Sequence, residues 1–258
     1  MESYGFITPR SDNCVFNQRV GQTIGGYPIG IVYVEQIWFP VLPGNVLNAS
    51  TYPFPVCYQP VKGLGNRVLF TGAEEIYGSI LEACNELKKV GVRAITGACG
   101  FFGNFQTRLA SDVDIPVAMS SLVQLPWIFA MLRPNQKIGV LTACAEQFGK
   151  NLLDGCGIPE EMQNRLSVVG FEDTESFQNI IDGKGTFDNR VMKQILVERA
   201  ADLVRQNPEI GAILLECTEM PPYAYLIQSE LGLPVYDFTT LIRWMHSGVC
   251  RTPFTGFI

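Results

Sequence analysis

Two apolar runs, residues 92–96 and 210–216, each lead within a few residues to a cysteine and then into a helix-like stretch. The first delivers Cys99 in Thr96-Gly97-Ala98-Cys99-Gly100-Phe101, the second Cys217 in Leu215-Glu216-Cys217-Thr218-Glu219. Short apolar runs of this kind suit strands covered on both faces, which is the condition of a parallel sheet. The pattern recurs. Apolar runs at 29–34, 115–119, 137–142, 166–169 and 233–237 alternate with helical periodicity at 73–90, from about 146, at 189–206 and at 239–246. Residues 67–70 read as a further short strand, and 40–53, dense in Pro, Gly and Asn, as an ordered loop. Strands alternating with such helices mean parallel α/β units. Ile29-Gly30-Ile31-Val32 and Ile138-Gly139-Val140-Leu141 look like equivalent starts. The expectation is therefore two similar three-layer lobes with mainly parallel sheets. Residues 1–130 plus 233–258 would form the first lobe and 131–232 the second, with the site in the cleft between them. Ligands bind at the carboxyl ends of such strands, which is where both thiols fall.

Composition narrows the function. No run approaches the roughly 18 apolar residues of a membrane span, and residues 1–17 lack the apolar core of a secretory signal. A cytoplasmic protein is expected. A net charge of −6 argues against a nucleic-acid partner. The eight cysteines contain no C-x-x-C, and one histidine, His246, cannot complete a zinc set. Cys14, Cys57, Cys84, Cys156 and Cys250 read as small buried hydrophobes; Cys144, near the strand end at Thr142, stays a candidate. Gly63-Leu64-Gly65 precedes a strand and lacks its third glycine, so it is not a dinucleotide loop, and no phosphate-binding P-loop or nucleophile elbow is present. His246, beside Arg243 and Trp244 near a helix end, reads as a cation suited to the helix dipole.

Cys217, Thr218 and Glu219 put a thiol, a hydroxyl and a carboxylate at a strand end just before Pro221-Pro222, where a helix starts well. Amides exposed there can bind a carboxylate and lower a thiol pKa, with Glu219 acting in the opposite sense. Two thiols that each switch between acid and base can remove an α-proton from one face of a substrate and return it to the other.

The stretch Ile213-Leu214-Leu215-Glu216-Cys217-Thr218-Glu219 resembles the second cysteine motif of the aspartate/glutamate racemase superfamily, with Glu219 as in its aspartate branch. Ile95-Thr96-Gly97-Ala98-Cys99-Gly100-Phe101 stands in the place of the first motif, with Gly100-Phe101 where Asn-Thr is usual. Tyr33-Val34-Glu35 replaces the usual acidic or glycine-rich end of the first strand. The resemblance spans most of residues 29–245 in element order. It implies a cofactor-independent racemase of aspartate, glutamate or a related acid, an isomerase needing no pyridoxal phosphate, nicotinamide or metal. Cys99, Cys217 and Glu219 would be catalytic, and Gly100, Phe101, Thr142, Thr218 and Asn48 would bind a small carboxylate. Thr142 reads equally as a plain strand-end residue, and Asn45 and Asn48 also as turn formers. Arg67, Arg93 and Arg108 lie in the half where a substrate side-chain carboxylate would be held. Homodimerisation stays open. The alternatives are a maleate isomerase, a hydantoin racemase or an arylmalonate decarboxylase of the same superfamily, and, in another class, a small-molecule binding protein.

Overall fold

Two parallel sheets with the same strand order face each other through their helices. The computed structural model describes residues 15, 16, 18, 20–252 and 254–258. The N-terminal stretch read for a secretory signal lies almost wholly outside them, as does Cys14. The first sheet contains β1 (Ile29–Val34), β2 (Val56–Val61), β3 (Ala94–Gly97) and β4 (Val117–Ala118), in the order β2-β1-β3-β4. The second contains β5 (Lys137–Thr142), β6 (Leu166–Gly170), β7 (Ile210–Leu215) and β8 (Val235–Tyr236), in the order β6-β5-β7-β8. Every pairing is parallel. β1 and β5, the two alike starts, occupy the same place in their sheets. The α/β class and the two similar lobes are as the periodicity implied.

The helices are α1 (Asn66–Thr71), α2 (Tyr77–Val90), α3 (Gln106–Asp112), α4 (Leu125–Met131), α5 (Lys150–Gly155), α6 (Glu160–Gln163), α7 (Glu175–Ile181), α8 (Asn189–Gln206), α9 (Ala224–Leu231) and α10 (Phe238–Val249). One buried cluster runs through both halves: Val32 and Ile95 of the first sheet join Ile138, Val140, Ala212 and Leu214 of the second, with Phe101, Phe102 and Leu152. β7 is buried at all six positions, as a strand covered on both faces must be.

Three local expectations are corrected and one strand is added. Residues 67–70 are helical, not a strand: they lie in α1, which ends at Gly72 in the left-handed region (φ 64°). β2, to which the sequence reading assigned no element, is a strand that tolerates Pro60 because it lies at the sheet edge, where a missing N–H breaks no ladder. The helix expected from about residue 146 begins at Lys150. The strand near residue 235 belongs to the second sheet, paired with β7, rather than to the first lobe. The helix after it does reach the first lobe. Phe238, Leu241, Ile242 and Met245 of α10 pack on Ile29, Ile31, Ala94 and Ala98.

The turn from β8 into α10 is therefore a hinge between halves, and Asp237 fixes it. Its Oδ1 accepts the Thr240 N–H at 2.9 Å and the Thr239 hydroxyl at 2.7 Å, while its own N–H donates to Thr240 Oγ1 at 3.0 Å. Gln124 of the first half donates from Nε2 to the Asp237 carbonyl at 3.0 Å. Loss of a helix N-cap costs about 1–2 kcal/mol. Asp237→Ala should lower the unfolding free energy by about that amount in urea denaturation. An unchanged midpoint would remove the cap from the forces that hold α10.

Candidate active site

The carboxyl ends of β1, β3, β5 and β7 converge on one cavity of about 410 Å³, counted with its mouth. Past β3, Cys99 sits in extended backbone (φ −174°) just before a 3₁₀ turn over Gly100–Phe105. Past β7 come Glu216, Cys217, Thr218 and Glu219. Ile37 and Phe39 follow β1, Ala143 follows β5, and Phe70 of α1 with Ile180 and Ile181 of α7 complete the wall. The roof joins the two halves. Asn66 Nδ2 donates to the Ile181 carbonyl at 3.4 Å, Arg67 pairs with Asp182 at 2.5 Å, and the Gly185 N–H donates to the Trp38 carbonyl at 2.8 Å. Gly44, in the left-handed region (φ 100°), lets its loop pack on Pro222, which a Cβ would approach to 2.9 Å of Cα.

Acids dominate the wall. Glu216 is 1% exposed. Its Oε2 accepts the Thr142 hydroxyl at 2.7 Å and the Ala143 N–H, and its Oε1 has no hydrogen-bond partner. Burial pushes its carboxyl up to about 7; the bond from Thr142 opposes this and the charge of Glu219 adds to it. Cys217 donates from Sγ to Glu219 Oε2 at 2.7 Å, and the Thr218 hydroxyl donates to Oε1 at 3.0 Å. Burial raises the Glu219 carboxyl, against the bonds from Cys217, Thr218 and Asn45. Burial likewise holds both thiols well above the usual range. The main added cause is Glu216 for Cys99, whose sulfur also accepts the Phe101 N–H, and Glu219 for Cys217. Among the described residues, no Arg, Lys or His lines the cavity.

Of the residues singled out in the sequence, Cys99, Phe101, Cys217, Thr218 and Glu219 line this cavity. Gly100 adjoins it against Glu216, and Thr142 stands behind Glu216 as its donor. Asn48 is elsewhere. Its Nδ2 donates to the Val41 carbonyl at 2.9 Å and its Oδ1 accepts the Ser50 N–H, so it shapes the loop rather than a ligand. Asn45, 2% exposed, is the asparagine that reaches Glu219. Cys144 faces the neighbouring cleft with Arg67 and Glu172. Arg67 and Arg108 pair with Asp182 and Glu74 and do not enter the cavity. His246 stacks on Phe54 at 3.7 Å, and burial lowers its pKa, which disfavours the cation expected of it. Sequence reasoning passed over Glu216, although an acid closing a wholly apolar central strand is a signal of function. Among the described residues, no three His, Cys, Asp or Glu side chains form a metal-ligand set, and no helix is long and apolar enough to cross a membrane.

No family model matches the chain. Known proteins do. It is 32% identical over 234 residues to a dimethylsulfoniopropionate lyase of Durusdinium sp. clade D, covering 88% of this chain and 77% of that one. It is 33% identical over 240 residues to dimethylsulfoniopropionate lyase 7 of Emiliania huxleyi, covering 89% and 70%. Among solved structures, the allantoin racemase of Pseudomonas fluorescens superposes with a TM-score of 0.55 at 16% identity, over 89% of this chain and 98% of that one. An arylmalonate decarboxylase superposes with a TM-score of 0.54 at 14% identity, over 88% and 95%. The aspartate racemase homologue of Pyrococcus horikoshii gives 0.51 at 19%, over 84% and 98%. The fold is that of the aspartate/glutamate racemase superfamily. The expected activity is corrected: at 32–33% identity the relatives are lyases, which overturns the reading as an amino-acid racemase or other isomerase. The motif follows the fold, and one fold hosts several reactions.

The charge state of Glu216 is open to measurement. Its folded pKa, about 7, lies above the ordinary 4.5, so between those values the native state holds a proton that the unfolded chain has released. Wild-type stability should fall as pH rises through this window, while Glu216→Gln is spared. From about pH 4.5 to about pH 8.5 the unfolding free energy of the variant should gain on wild type by on the order of 3 kcal/mol. Parallel pH profiles for the two proteins would place Glu216 in water instead.

Proposed function

We propose that this chain, which belongs to the family of the dimethylsulfoniopropionate lyases, is itself a lyase that eliminates dimethyl sulfide from dimethylsulfoniopropionate. The observation that carries the reading is the acidity of the cavity: two carboxyl groups, two thiols and, among the described residues, no basic side chain. An acidic amino acid would bring two negative charges to this wall. A sulfonium propionate brings a fixed positive charge with no N–H or O–H to donate, so only anions and aromatic faces can hold it. Glu219, with the Cys217 thiolate it generates, supplies the first, and Phe39, Phe70 and Phe101 the second.

The elimination needs one base. Glu219 accepts the hydrogen bond of the Cys217 thiol, and by taking that proton it leaves a thiolate facing the substrate. Burial disfavours the thiolate in the empty site; the arriving sulfonium offsets that penalty, so the base forms when substrate is present. The thiolate removes a proton from the carbon next to the carboxylate. The electron pair of that C–H bond becomes the C=C bond of acrylate, and the C–S bond breaks with its pair staying on sulfur, which leaves as neutral dimethyl sulfide. Cys217 keeps the proton it gains and is again a thiol, and Glu219 releases to solvent the proton it took, which restores the starting pair. The same α-proton removal opens a racemisation, which accounts for a shared pair of strand ends. Elimination returns no proton to the opposite face, so Cys99 is a wall of the site rather than a second base.

Headspace measurement of dimethyl sulfide with acrylate in solution tests this. Wild type should release the two in equal amounts. Cys217→Ala and Cys217→Ser should each lower the rate roughly 10³-fold, Glu219→Gln by a smaller factor, and Cys99→Ser least of all. Wild-type protein that releases no dimethyl sulfide sinks the reading. Equal loss in the Cys99 and Cys217 variants sinks the one-base mechanism.

A further inference from the structure

We infer that Glu216 receives the substrate's carboxylate as a neutral acid, donating a hydrogen bond from Oε1 while Thr142 and Ala143 hold Oε2. The inference rests on the elimination reading above, since it supplies the one contact which that reading leaves open. A zwitterionic substrate has its sulfonium matched by the acidic wall, but among the described residues no Arg, Lys or His of the cavity meets its carboxylate. The donors found there are neutral.

Glu216 has the geometry of such a donor. One edge of its carboxyl is held by the Thr142 hydroxyl and the Ala143 N–H. The other, Oε1, is buried without a partner, although a buried carboxyl oxygen ordinarily has one. The room that Oε1 occupies exists because residue 100 has no side chain: a Cβ on Gly100 would lie 1.9 Å from it. The groups that face Glu216 are Cys99 past β3, Cys156 at the end of α5, and Cys217 and Glu219 on its own strand end. Each is an acid and none is a cation, so these titratable neighbours favour keeping the proton on Glu216 when an anion arrives, against the bonds from Thr142 and Ala143. As the α-proton leaves, negative charge grows on the substrate carboxylate. A fixed neutral acid there binds the transition state more tightly than the ground state.

Titration calorimetry with propionate separates this role from a structural one. At about pH 8 the empty wild-type site has Glu216 largely ionised, given its pKa of about 7. Binding propionate should then draw about one proton from the buffer, read from the heats in buffers of different ionisation enthalpy. Glu216→Gln, whose amide N–H₂ can take the place of the acid, should bind propionate within about tenfold of wild type and draw no proton. Wild type that binds without proton uptake, an uptake that survives in Glu216→Gln, or no propionate binding at all overturns the inference. Propionate-linked uptake in a protein that releases no dimethyl sulfide would sink the lyase reading and leave the role of Glu216 standing.

Discussion

The site depends on one buried contact between halves. Glu216 closes the central strand of the second sheet, is tied to Thr142 of the neighbouring strand at 2.7 Å, and fills the space that Gly100 of the first half leaves empty. A carboxylate this deep in a parallel sheet is costly unless it is held and used. Its position sets how close the Cys99 and Cys217 strand ends can come, and it gives the cavity its acidity. The Cys217–Glu219 pair and the aromatic wall are arranged around that centre.

Much of this architecture could be read directly. The alternation of apolar strands with amphipathic helices prescribes parallel α/β layers, and two strand-end cysteines mark the two halves of one site. What escaped reading has local causes. β2 is disguised by Pro60, which a strand tolerates only at an edge, and edge position is a property of the sheet rather than of the segment. β8 has two described residues, too few for periodicity to say which sheet it joins. Asn45 and Asn48 are the same residue type three positions apart in one loop, yet only Asn45 reaches Glu219, because loop geometry decides where each amide points.

The reaction was the least legible level. The cysteine motif encodes thiols at the carboxyl ends of two strands, and the fold that carries them is shared by solved structures of racemases and of a decarboxylase. What differs between such reactions is the charge of the ligand the walls accept, and that is set by side chains from four strand ends and two helices far apart in sequence. A sequence motif samples two of these strand ends. That no described residue of the cavity is basic became visible only when its walls were assembled.

The contact between Glu216 and Gly100 also constrains the history of such chains. With a Cβ at position 100 falling 1.9 Å from Glu216 Oε1, a side chain after the first thiol and a glutamate before the second cannot both keep the places they hold here. The two positions, distant in sequence, must drift together. In a population of homologues this contact should appear as a correlated pair, dividing the fold into chains that carry the acid and chains that carry the side chain.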